Sequence, residues 1–188
     1  GMAIVPLLWG LPIGLLPVHI VFLEMIIDPA CSIAFEAEPE EEKIMARPPR
    51  DPKEKLFSRE MLLLSLLQGI ISFVVVFGMY AVTIAKGVDE IEARSLTFTT
   101  LVLSNLCLIL TNRSWSESII SSFKKKNKSL AGLIIVTLSV LSLSLYVPFF
   151  QHIFHFHPLH VDDIFLCFVL AIFSILWFEF YKALRRTR

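Results

Sequence analysis

Long apolar runs alternate with short polar stretches along the whole chain, and that alternation predicts the elements. An incomplete apolar stretch, Ala3 to about Leu16, comes first and ends in the Gly/Pro-rich run Trp9 to Pro17. A short span follows at about 18–35, then longer ones at Met61–Ala85, about Ser95–Thr111, 130–150 and 163–181. A segment of about 20 apolar residues crosses the roughly 30 Å hydrocarbon core as a helix. Backbone facing lipid must satisfy its own hydrogen bonds, so these segments are expected to be helical. The reading is an all-α polytopic transmembrane helix bundle. Its parts are the end of a truncated transmembrane helix (1–17), a carboxylate-bearing span (18–35), a connector (36–60) and four further spans with a tail (61–188). A chain that opens on part of a helix is expected to belong to something larger.

Composition agrees with the pattern: 55% of the 188 residues are hydrophobic and 18% charged, with a mean hydropathy of +0.71. This is the range of membrane proteins, and the lipid bilayer is the first partner it implies. Net charge is zero, but the cations are unevenly placed. Lys43, Arg47, Arg50, Lys53, Lys55 and Arg59 lie in the 36–60 connector; Arg113 and the Lys124–Lys128 run lie in 112–129; Lys182, Arg185, Arg186 and Arg188 lie in the tail. Stretch 86–94 holds only Lys86 and Arg94, and 150–162 has neither Lys nor Arg. The positive-inside rule places the first three regions in the cytoplasm. The short loops favour a plasma or inner membrane over an organelle. A pI near 7.1 offers no basis for a nucleic-acid partner. Cys31, Cys107 and Cys167 sit in apolar runs without ligand spacing and read as small buried hydrophobes.

The chemistry concentrates in the first span. Glu24 and Asp28 are four residues apart and share one helix face. Pro29 removes a backbone donor and crowds the preceding turn, so the helix is expected to kink or open beside Asp28. Freed carbonyls next to two carboxylates suit a hard cation. Each charge costs about 2.5–3.5 kcal/mol on insertion scales, and like charges repel. A packing role for the pair therefore explains less than a cation or proton role. Asn105 is balanced between ligand and interhelical packing, because neutral amides commonly bond across membrane helices. Gln68 and Ser104 read as packing groups, and Glu179 as a snorkelling carboxylate or a partner of Lys182. His19 is read as a surface histidine with the alternative of a titrating group. His152, His155, His157 and His160 are interleaved with apolar residues at no strict metal spacing, which fits an interfacial belt better than a metal site. The Lys124–Lys128 run anchors the cytoplasmic edge against anionic lipid.

The connector begins acidic, Glu36 to Glu42, and becomes basic and proline-rich. Its stretch Ile44-Met-Ala-Arg-Pro-Pro-Arg-Asp-Pro-Lys-Glu54 resembles the link between the sixth and seventh membrane helices of P-type cation-transporting ATPases, in the calcium-pump-like branch. Leu16-Pro17 before the carboxylates, Ala34-Phe35 after them, Ala93-Arg94-Ser-Leu-Thr97 and Phe178-Glu179-Phe-Tyr-Lys182 are similar to the family at matching places, so the resemblance covers nearly the whole chain. It implies the end of the fifth helix plus helices six to ten of an ATP-driven cation pump, calcium being the expected ion. The rest of that pump, its other membrane helices and its cytoplasmic domains, would be the partner. ATP and Mg2+ would act only there, because no phosphorylation motif or nucleotide-binding domain occurs in these residues.

The resemblance also implies site residues. Asp28 falls where the family has its most dependable cation-ligating aspartate. Glu24 falls where calcium pumps usually have asparagine and sodium/potassium pumps aspartate. Asn105 falls where two-site calcium pumps carry a glutamate, Ile27 where they have a ligating threonine, and Pro29 stands earlier than the family's proline. One site built from Asp28, Glu24 and groups on the missing fourth and fifth helices, with Asn105 as a further candidate, is expected rather than two. A proton or monovalent-cation pump, or a non-catalytic membrane scaffold or regulatory subunit, is the alternative.

Overall fold

A computed structural model describes residues 1–27, 31–32, 35–37, 59–113 and 127–186. Helix α1 (Val5–Leu8) is a single turn, and an irregular stretch leads to α2 (Pro17–Phe22), which continues into a π-turn at Leu23–Ile27. Then follow α3 (Arg59–Ala85), α4 (Glu90–Asn112), α5 (Lys128–Tyr146), the short α6 (Pro148–Phe154) and α7 (Val161–Arg186). Among the described residues there is no strand. Helices α3, α4, α5 and α7 are the four long and apolar enough to cross a membrane, and the bundle is all-α, as the hydrophobic pattern predicts.

Local chemistry sets the helix ends. Gly87 adopts φ +77°, and its amide and that of Val88 bond back to Ile84 and Thr83, the paired closure of a left-handed C-terminal cap. Asp89 then accepts from the Ile91 amide at 3.1 Å and starts α4. Asn127 does the same for α5 through Leu130 at 2.9 Å. Each short polar side chain satisfies an amide that has no partner within its helix. Pro148 occupies the first turn of α6, where its missing N–H costs nothing.

Helix α4 is the centre of the bundle. It is the least hydropathic of the four spans, yet 72% of its apolar window is buried, against 17–33% for the others. It packs most extensively on α7 and next on α3. Lipid solvates leucine as well as a protein core does, so apolarity does not drive a helix inward in a membrane; small and hydroxylated residues permit close approach and do so instead. Ser95, Thr97, Thr99, Thr100, Ser104 and Thr111 of α4 are all buried. Thr97 and Thr100 donate to the Ala93 and Leu96 carbonyls at 2.7 and 2.8 Å, which satisfies their hydroxyls inside their own helix. Leu62, Leu63, Leu66 and Ile70 of α3 and Phe165, Phe173 and Phe180 of α7 point outward.

The expected opening beside Pro29 lies outside the described residues, as do Asp28 and Pro29 themselves; among the described residues a departure from α geometry is seen over Leu23–Ile27.

Candidate functional site

The carboxylate-bearing turn hangs from a well-anchored N-terminal end. Tyr80 of α3 donates to the Pro12 carbonyl at 2.7 Å, and Arg94 of α4 donates to that of Ile13 at 3.3 Å. These two bonds hold the stretch leading into α2. Helix α2 itself is held by His19 and Phe22. The His19 Nδ1 accepts from the Leu16 amide at 3.0 Å, and its Nε2 lies 2.7 Å from the Phe154 carbonyl oxygen. An amide donor on Nδ1 and a carbonyl acceptor at Nε2 define the neutral ring with its hydrogen on Nε2. The ring stacks on Phe156 at 4.7 Å and 9° and also meets Phe98 and Phe154. Phe22 meets the same two phenylalanines edge-on. His19 is 0% exposed, so the surface reading of this residue is corrected. Its two ring nitrogens are satisfied by protein backbone, and its faces are covered by aromatic rings, so it does not need water.

Below this box the π-turn presents Glu24 to the outside, its side chain exposed, while Ile27 turns inward and is 4% exposed. Ile27 and Asn105 line one cleft of about 220 Å3, with Cys31, Phe35, Leu108, Ile109 and Asn112. Asn105 also lines a second cleft of about 390 Å3 together with Ser72, Phe73, Val76 and Leu101. Asn105, half-buried, thus faces the carboxylate-bearing segment from α4, as does Asn112 in the first cleft. Glu24 does not line either cleft. Among the described residues no three His, Cys, Asp or Glu side chains gather as metal ligands would. The structure brings Asn105 to the helix that carries the carboxylates, but not to Glu24 itself. Asp28 lies outside the described residues.

The sequence reading missed one polar element. Gln68 of α3 and Asn112 of α4 exchange two amide hydrogen bonds, 3.2 and 3.3 Å long. Asn112 is seven residues after Asn105, two turns along the same face, and that spacing is the signal that marks an amide stripe on α4. Gln68 is a packing group, as expected. Further along, Lys182 of α7 is 8% exposed. Its ammonium donates to the Thr111 carbonyl and to Glu179 at 2.9 Å, and sits 5.2 Å from the centre of the Phe178 ring. It neutralises both the last turn of α4, where carbonyls collect negative charge, and the Glu179 carboxylate. Tyr181 adds a bond to Glu60 of α3 at 2.8 Å. Cys167 is buried, whereas Cys31 and Cys107 are only partly so; all three are thiols.

Residues 12–184 match the profile of the family described as "Cation transporting ATPase, C-terminus". The chain belongs to this family. Among curated relatives, it is similar to the "Calcium-transporting ATPase" of Bacillus subtilis (strain 168), 27% identical over 150 residues, which is 79% of this chain and 17% of the relative. It is also similar to "Calcium-transporting ATPase 1" of Yarrowia lipolytica (strain CLIB 122 / E 150), 28% identical over 172 residues, covering 89% of this chain and 18% of the relative. The chain therefore spans less than a fifth of the length of the curated relatives it matches. A cation-ATPase C-terminal region with four apolar helices of spanning length is an integral, multi-pass membrane domain.

Proposed function

We propose that these residues contribute part of the intramembrane cation site of an ATP-driven pump, with Asp28 and Glu24 as anionic ligands, Asn105 as a neutral oxygen ligand, and calcium as the ion. The observation that carries the reading is the π-turn at Leu23–Ile27 in the span that carries Glu24 and Asp28, with Ile27 of that turn lining one cleft with Asn105. Single π-turns within helices frequently mark functional sites, and carbonyls loosened from a helix supply the oxygen ligands that calcium needs. The relatives' names favour calcium. The remaining ligands come from other helices of the same pump, which also supplies ATP hydrolysis, and the whole sits in a plasma or inner membrane. Phosphorylation elsewhere swings the carboxylates between cytoplasmic and outer access, and cation release is matched by protons taken up on the same groups.

One observation favours a monovalent cation or proton as cargo instead: Ile27 and Asn105 stand where the resemblance to calcium pumps leads one to expect a hydroxyl and a carboxylate. Asp28→Asn in the complete pump tests the site. It is expected to abolish cation-dependent phosphorylation from ATP, and full retention overturns the assignment. Calcium against sodium or pH as the activator in the wild type decides the ion.

A further inference from the structure

We propose that His19 is a positioning residue of this cation site: its bond to the Phe154 carbonyl fastens the N-terminal end of the carboxylate-bearing helix to the end of α6 and so sets where the π-turn holds Glu24. The inference rests on the reading of Glu24 and Asp28 as ligands. Four observations lead to it. His19 is fully buried at the very start of a helix, where a polar side chain would ordinarily meet water. Both its ring nitrogens are committed, one to the cap of its own helix at Leu16 and one across the bundle to Phe154. The bonds from Tyr80 and Arg94 reach Pro12 and Ile13 and so restrain the stretch before α2, leaving the helix to His19 and Phe22. Continuous helical backbone then runs from His19 to Glu24, five residues, or about 7.5 Å at 1.5 Å per residue if counted as α-helix. A displacement at the histidine is carried along that backbone to the turn.

The two bonds are separable by substitution. His19→Asn places an amide oxygen near the Nδ1 position and keeps the local cap, but is too short to reach Phe154. His19→Gln places a donor near the Nε2 position and restores the tie. His19→Phe keeps the aromatic stack and loses both bonds. In the complete pump in native membrane vesicles, phosphoenzyme formed from ATP is titrated with free calcium, alongside the rate of heat inactivation. The expected result is a half-saturating calcium concentration raised about tenfold in His19→Asn and His19→Phe, the size of one lost buried hydrogen bond. Maximal phosphoenzyme and heat inactivation of His19→Asn stay within twofold of wild type, and His19→Gln returns the half-saturation point to within threefold. Faster heat inactivation with an unmoved half-saturation point overturns the proposal, because the histidine is then only structural. If His19→Asn does not accumulate, a well-folded His19→Gln with a shift above threefold also overturns it. Asp28→Asn runs beside the series. Retained phosphorylation in Asp28→Asn removes the underlying site, whereas its loss together with an unmoved His19→Asn removes this inference alone.

Discussion

Replacing Lys182 by methionine tests how α7 is held against the C-terminal end of α4. The side chain is nearly the same length, so packing is largely kept while the ammonium is lost. With it go the hydrogen bond to the Thr111 carbonyl, the ion pair with Glu179 and the position over the Phe178 ring. Glu179 is left as a carboxylate with a side chain only 20% exposed and without that counter-charge. Removing one partner of a fully buried pair costs about 3–5 kcal/mol, and exposed pairs are worth about 0–1 kcal/mol. Lys182 lies at the buried limit and Glu179 between the two, so Lys182→Met is expected to cost about 2–3 kcal/mol. Adding Glu179→Gln removes the carboxylate charge that faced the ammonium, and the double variant should recover to a net loss of about 1 kcal/mol. The assay is reversible unfolding of the purified complete protein by SDS in mixed micelles, run as a double-mutant cycle. A double variant as unstable as the sum of the two single ones refutes the reasoning, because the two charges are then uncoupled. A loss below about 0.5 kcal/mol for Lys182→Met refutes it as well, since that is the size of an ordinary surface change.

Two further outcomes are expected. The Gln68–Asn112 pair should show a coupling energy of about 1 kcal/mol in a leucine double-mutant cycle by the same unfolding assay, the middle of the range for interhelical hydrogen bonds in membranes; strict additivity would contradict the reciprocal bonding. A membrane-permeant maleimide should modify Cys31, which lines the cleft with Asn105, about tenfold faster than Cys167, which is 0% exposed, because thiol reactivity requires access. Peptide mass spectrometry of the labelled protein reads the ratio, and equal rates would contradict the packing of α7 on α4.

Much of the architecture is legible without coordinates because hydrocarbon imposes a length and a polarity on each span. The runs near Met61–Ala85 and 163–181 are recognisable from apolarity alone, and each observed helix extends a little further at one or both ends, where snorkelling or capping residues carry it into the polar region. The carboxylates of the first span are equally visible, since charge is rare at that depth. Asn105 was visible as a candidate, but its facing of the Ile27 segment was not. An amide in a membrane helix serves packing and ligation equally well, and only the neighbour decides. His19 shows the opposite failure. A histidine at the start of a helix after a proline carries the same local signal whether it meets water or an aromatic box, and the residues that cover it, Phe98, Phe154 and Phe156, are 79 or more positions away in the chain.

What the amino-acid order determined by itself is the set of spanning helices and the presence of two carboxylates beside a proline. Each of these follows from local chemistry: hydropathy over about 20 residues and charge in an otherwise apolar run. Which helix goes to the middle was decided only in three dimensions. Hydropathy ranks α4 the weakest span, yet it is the buried one, because among lipids the close approach of small hydroxylated surfaces, rather than apolarity, selects the interior. The placement of Asn105 beside Ile27 and of Phe154 over His19 is likewise long-range, and no stretch of the chain encodes it alone.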